Sequence, residues 1–233
     1  MAEPEGKTVR VMTWNIHGGV GADGVRDLSR VVALVRRHGP DIVALQEVDS
    51  RHAVPEAKPA FAFLAEELGR HIAAAKLITA ADGDYGHAIF SRWPISRAVR
   101  HDITLAGREP RAVIESTIET PCGVLHVVAA HLGLSLQERG RQARVLSSLA
   151  RSGPHRTVVL GDFNDWIWRG SVQRALAETL PARTHHKTFP ARLPLLALDR
   201  IYWRPKDLMI RTWTDPGARL ASDHLPIIGD AAL

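Results

Sequence analysis

Short runs of β-branched and aliphatic residues, each ending abruptly in polar side chains, recur along this chain. Residues 9–15, 42–47 and 157–160 have the length and composition of buried strands. Further strands are predicted over 72–79, 87–90, 95–103, 112–118 and 125–130, and late in the chain over 200–203 and 208–211. Thr120-Pro121-Cys122-Gly123 has the residues of a hairpin turn. Ser222-Asp223-His224-Leu225-Pro226 reads as a turn leading into a last strand. Apolar positions fall at helical spacing from Asp27 to Arg37, where Gly39-Pro40 supplies the stop. A second helix is predicted over 60–69. A third runs over 135–150, with Ser135 as N-cap and Glu138 completing a capping box. The mixture predicts an α/β domain in which two mixed β-sheets pack as a sandwich with helices on the outer faces, four layers in all.

A chain of 233 residues is enough for one such domain and short for two. There is no linker-like tract and no internal repeat. Residues 1–7 are polar, lack the apolar stretch of a secretory signal, and are expected to be a disordered tail before a single domain spanning 8–233. No segment approaches the length of apolar sequence that a spanning helix needs. One cysteine, Cys122, excludes an intrachain disulfide framework and any multi-cysteine zinc site. These features lead us to expect a cytoplasmic monomer. The net charge of +5 favours acidic partners, but the arginines are spread along the chain without a basic block. Ile16-His17-Gly18-Gly19-Val20-Gly21 follows the first strand and precedes a helix, as a phosphate-binding turn would. It matches neither the dinucleotide nor the P-loop pattern, which removes a nucleotide-cofactor site.

The polar groups at the strand ends carry the chemistry. Gly161-Asp162-Phe163-Asn164 places an acid and an amide two residues apart at the end of an apolar strand. Thr13-Trp14-Asn15, Leu45-Gln46-Glu47 and the histidine of Ala130-His131 end three others. With Leu198-Asp199-Arg200-Ile201 and Ser222-Asp223-His224-Leu225-Pro226, these segments resemble, in order and over essentially the whole chain, the endonuclease/exonuclease/phosphatase superfamily of metal-dependent phosphoesterases. Each string is weak alone, since Asp and Asn are ordinary turn residues; the ordered set is specific.

The resemblance implies a hydrolase that cleaves phosphodiester bonds by in-line attack of water, with one Mg²⁺ or Mn²⁺ ion. Glu47 is expected to bind the ion, with Asn15 orienting the site and Asp223 as a further ligand or water-positioning group. Asp162 and Asn164 fit water activation and contact with a phosphate oxygen. Asp199 is expected to fix the tautomer of His224, and the general base is left between His224 and Asp162. His131 is expected to contact the phosphate or to protonate the leaving oxygen. Apurinic-type relatives carry an aspartate where this chain has His17, so a second carboxylate ligand is lost; His17 becomes a phosphate donor or nitrogen ligand. Arg111 and Trp166 complete the candidate substrate contacts, with the Trp166/Trp168 pair available to stack a base or meet lipid chains. His185-His186-Lys187 and the proline-rich residues 189–194 are read as a loop shaping the substrate mouth. The expected substrate is a small or lipid phosphodiester or a nucleic acid. The alternatives are a nuclease proper and a non-catalytic phosphate- or nucleic-acid-binding module of the same fold.

Overall fold

In the computed structural model, residues 8–51, 58–69, 71–167 and 170–233 are described. The expected tail over 1–7 and Trp168 lie outside the described residues. The first strand, β1 (Thr8–Asn15), pairs in parallel with β2 (Ile42–Asp49) through the crossover helix α1 (Leu28–His38). Asp27 caps α1 by accepting from Ser29 N–H, and Gly39 ends it in the left-handed conformation. Helix α2 (Ala60–Leu68) and the hairpin β3 (His71–Ala80) and β4 (Gly83–Ser91) follow. The chain then crosses to a second sheet through β5 (Ile95–Asp102), β6 (Ala112–Thr120) and β7 (Gly123–His131). Helix α3 (Leu136–Ser152) carries it to β8 (Thr157–Asp162), parallel to β7. Helix α4 (Ser171–Ala177), β9 (Ala182–Arg183), β10 (Asp199–Arg204), β11 (Met209–Thr214) and β12 (Ile227–Ala232) complete the elements.

The six-stranded sheets have the orders β11-β12-β1-β2-β4-β3 and β5-β6-β7-β8-β10-β9. Alternation along each strand assigns its two faces. Val9, Val11, Ile42 and Ala44 from one sheet meet Val127, Ala129, Val158 and Leu160 from the other in a core between the sheets. Met12, Trp14, Val43 and Leu45 face outward and bury the apolar side of α1 and α2. Val128, Ala130, Val159 and Tyr202 do the same for α3 and α4. The expected four-layer sandwich is therefore observed. Each fully buried aliphatic side chain in these layers contributes about 1.5–3 kcal/mol of transfer free energy. No helix among the described residues is long and apolar enough to cross a membrane.

Two local expectations change. Ser135 caps α3 by accepting from Glu138 N–H, but the Glu138 carboxylate lies over Gly133 and accepts from Gln142 Nε2 at 3.4 Å. The capping box is thus half formed. Helix α4 was not expected from sequence: Gly170 offers no side-chain cap, and only Val172 and Leu176 are buried, too little to mark a periodic face.

Candidate active site

Three strand ends of the second sheet stand side by side in register. His131 of β7 is opposite Asp162 of β8, which is opposite Asp199 of β10. The apolar residues two and four positions away along each strand point into the inter-sheet core, so these three point that way too. Asn15 of β1 occupies the corresponding end of the first sheet, opposite Gln46 of β2. The site is therefore built across the mouth of the sandwich, with each sheet supplying one wall.

Glu47 would break this arrangement in a regular strand, because Leu45 and Val48 face the helices while Gln46 faces the core. A register shift between Leu45 and Val48 inserts the extra residue, and Glu47 takes φ 55°. The bulge turns its carboxylate to the site. Among the described residues only His17, Glu47 and Asn164 combine a side chain with positive φ. All three lie at this mouth. Such conformations cost about 1–3 kcal/mol each and persist where the surrounding structure imposes them. Gly161, at φ 146°, has a different reason: a Cβ there would stand 1.8 Å from the Ala130 carbonyl oxygen.

Asn15 joins the walls. Its Nδ2 donates to Glu47 Oε1 at 2.7 Å and to Asp162 Oδ2 at 3.0 Å, while its Oδ1 accepts from His17 N–H at 3.1 Å. Every hydrogen-bonding position of the amide except one oxygen lone pair is thus engaged, and it acts as an orienter of two carboxylates. His131 Nε2 lies 3.8 Å from Glu47 Oε1 and 3.7 Å from Asp162 Oδ2. Glu47, His131 and Asp162 offer ligand atoms all within 4.8 Å of one another, so a cation between them would meet two hard oxygen donors and one nitrogen. Two carboxylates converging on one amide also need a positive charge for balance. The donor set fits a small divalent ion that retains waters, with the imidazole better suited to Mn²⁺ than to Mg²⁺. Asp223 lies apart from this cluster, its Oδ1 3.3 Å from His17 Nδ1 on the rim.

His224 is held from several sides. Its Nδ1 is 2.8 Å from Asp199 Oδ2, and Nε2 stands 4.0 Å from Asp162 Oδ2. Its carbonyl accepts from Trp14 Nε1 at 2.9 Å. Its N–H donates to Ser222 Oγ, and that hydroxyl donates to the Asn15 carbonyl at 2.7 Å. Thr188 Oγ1 donates to Asp199 Oδ2 at 2.5 Å. Burial opposes a charge on His224, but the Asp199, Asp162 and Asp223 carboxylates outweigh it and raise the imidazole to about 10. Asp162 is pushed up to about 6 by burial and by Asp199, against the pull of His224 and the Asn15 amide. His131 is held well below its ordinary value by burial, by the Arg111 guanidinium and by the neighbouring His87 and His224 imidazoles. At neutral pH the site thus contains an imidazolium, a neutral imidazole and a largely ionised carboxylate.

The remaining candidates are less central. Asn164 accepts nothing from a neighbour in its turn; its N–H donates to Asp162 Oδ1 at 2.9 Å and its Nδ2 to the Leu132 carbonyl at 3.0 Å. One amide hydrogen stays available. Arg111 is buried beside the histidines, but its guanidinium forks onto Glu109 at 2.9 and 3.3 Å, so a phosphate would compete with that pair. His17 is exposed at the rim. Trp166 is 48% exposed, with the Arg139 guanidinium 4.7 Å over its ring. Thr188, which locks Asp199, is not singled out by the sequence, and Ser222, which holds His224, is read there only as part of its motif, without this role. Nor is His87 singled out, buried without a partner on either ring nitrogen and pushed down to about 4 by burial and Arg111. A lone His or Thr carries no signal before the fold places it.

A family model described as the Endonuclease/Exonuclease/phosphatase family matches residues 12–224, and the chain belongs to that family. It is 34% identical to the uncharacterized protein YbhP of Escherichia coli (strain K12), over 96% of both chains. The solved endonuclease/exonuclease/phosphatase from Beutenbergia cavernae DSM 12333 is similar with a TM-score of 0.77 at 22% identity, over 98% of this chain and 72% of that one. D. rerio TDP2, solved in complex with a single-strand DNA product, is similar with a TM-score of 0.65 at 17% identity, over 96% and 98% of the two chains.

Proposed function

We propose that this member of the Endonuclease/Exonuclease/phosphatase family is a divalent-metal-dependent phosphodiesterase that cleaves its substrate by in-line attack of water. The observation that carries this reading is the meeting of the buried Asp199–His224 pair with Asp162 and the Asn15–Glu47 pair at one mouth. A phosphoester hydrolase needs a base for water, positive charge for the phosphate oxygens and a place for a cation. Glu47 and Asp162, with His131 between them, would hold the ion. Bound there, Mg²⁺ or Mn²⁺ would supply Lewis-acid stabilisation of charge on the phosphate.

The side chains divide the remaining work by protonation state. His224, raised to about 10, is charged at neutral pH and has no lone pair to accept a proton. It serves as an electrostatic partner of the phosphate, with Nε2 as donor. Asp162 is raised to about 6 by burial and by Asp199, and an ion that it helps to hold would lower it; as a carboxylate it accepts from the attacking water and is the general base of this proposal. His131 is neutral, which suits it to accept a cation or donate one hydrogen bond and makes it a poor proton source for the leaving oxygen. The free hydrogen of the Asn164 amide is available to a nonbridging oxygen.

The assignment is tested with bis-p-nitrophenyl phosphate and p-nitrophenyl phosphate in Mg²⁺, Mn²⁺ or excess chelator. Hydrolysis of the diester in Mn²⁺, abolished by chelator and reduced by ~10²–10⁴ in Asp162→Asn, is expected. Full turnover in chelator would refute it. The DNA product held by the TDP2 neighbour is consistent with nucleic acid among the admissible phosphodiesters.

A further inference from the structure

A shallow cleft of about 260 Å³ opens beside the catalytic turn, lined by Trp166, Arg183, His185, Lys187, Leu196 and Arg200 among others. It lies on the outer side of the catalytic turn: Trp166 stands two residues after Asn164, Arg200 follows Asp199 on the opposite face of β10 and donates to the Asp165 carbonyl, and Lys187 precedes Thr188, which donates to Asp199. The cleft is smaller than the roughly 300–1,000 Å³ of a pocket that encloses a whole ligand, so it would seat one group of a larger one.

Its charge is uncompensated. Among the described residues no carboxylate is in ion-pair contact with Arg183, Lys187 or Arg200. Arg183 has only the neutral Gln173 amide oxygen, at 2.9 and 3.1 Å, and Arg200 donates to the Asp165 carbonyl at 3.3 Å. The Nε atoms of both arginines are buried without a partner. Arg183 is lowered by burial and by Arg200, and His185 by burial and by both arginines. Cations crowded together in this way are costly unless an anion joins them.

Trp166 supplies the second half of the site. Arg139 is fully buried and lies over the indole, steadying it, while the ring remains 48% exposed. A braced, half-exposed indole beside unpaired cations is the combination that takes a base and its phosphate. Trp166, Ile167, Leu195, Leu196 and Ala197 form the apolar part of the cleft, but three cations line the same shallow space, which suits a base carrying its phosphate better than a hydrocarbon chain alone. We propose that this cleft is a second phosphate subsite of the same active site. It would take the nucleotide adjoining the cleaved bond of a single-stranded oligonucleotide, with the phosphate against Arg183, Arg200 and Lys187 and the base on Trp166. The inference rests on the phosphodiesterase reading for the position of the cleaved bond.

The test reads binding alone, with the full chain in excess chelator and a fluorescein-labelled oligothymidylate followed by anisotropy. Lys187→Glu, Arg183→Gln and Trp166→Ala should each weaken binding about tenfold, with Trp166→Phe recovering most of the loss. The slope of log K against log salt should fall by about 0.7 for each phosphate contact removed. Lys187 and Trp166 are exposed, so their variants should fold, which thermal melts would verify. Variants that bind as tightly as the wild type overturn the proposal. So does binding to phosphatidylserine vesicles, with the same mutational losses, in place of oligothymidylate. Oligothymidylate binding lost in these variants, in a protein that hydrolyses no phosphodiester with Mn²⁺, supports the cleft and overturns the catalytic reading. Intact hydrolysis with insensitive binding overturns the cleft alone.

Discussion

The Nδ1 of His224 lies 2.8 Å from the Asp199 carboxylate, and Asp199 is fully buried. A buried acid with a fixed imidazole partner holds Nδ1 as N–H and favours the charged ring, so the Nε2 edge that faces the site carries its proton below about pH 10 and loses it above. Asp199→Asn should therefore move the alkaline limb of the kcat/KM–pH profile from near 10 to lower pH, since burial alone lowers an imidazole. kcat should fall less than in His224→Ala, for which a loss of ~10²–10⁴ is expected. An unchanged profile in Asp199→Asn would remove the pair from the mechanism.

The same pair makes stability depend on pH. His224 titrates near 6.5 in the unfolded chain and at about 10 in the folded one. Its contribution is complete below about 6.5 and is lost as pH rises through about 10. The thermal midpoint of the wild type should fall over the alkaline range more steeply than that of Asp199→Asn. Parallel curves in differential scanning calorimetry would contradict this.

Metal binding should be visible without turnover. Mn²⁺ or Mg²⁺ at about a hundred times its Kd should stabilise the fold by about 2.7 kcal/mol. The gain should be larger at neutral pH than at about pH 5, because Asp162, at about 6, must give up its proton to accept a cation. Glu47→Gln should lose most of the shift. Equal shifts in both proteins would place the ion elsewhere.

Gly161→Ala tests the packing behind the site. A Cβ would meet the Ala130 carbonyl at 1.8 Å, and φ 146° is unfavourable for alanine. β7 and β8 would have to separate at the Ala130–Gly161 pair, next to the one that aligns His131 with Asp162. Destabilisation of about 4 kcal/mol or more is expected, read by denaturant unfolding.

Much of this molecule could be read from the order of its residues, and the limits have physical causes. The strands around Asn15, Glu47, His131 and Asp162 were legible because apolar runs ended in polar groups. The pairing of Asp199 with His224 was legible only through the family resemblance, since the residues are 25 apart with no local signal. Contacts set by packing were not legible. The fork of Arg111 onto Glu109, the position of Asp223 beside His17, and the locks from Thr188 and Ser222 depend on loops whose paths no periodicity encodes. Charge was misleading in the same way. Arg183, Lys187 and Arg200 are scattered in sequence, and β9, the following loop and β10 bring them to one cleft.

The positive φ angles at His17, Glu47 and Asn164 bear on how this protein would respond to directed evolution. Glycine adopts that conformation freely, so Asn164→Gly and Glu47→Gly relax the backbone at the same step that deletes a functional group. A library selected for heat resistance alone should enrich glycine at these positions and return tougher, inert proteins. Thermostabilising this chain usefully therefore means holding those three codons fixed and searching the outer helices instead.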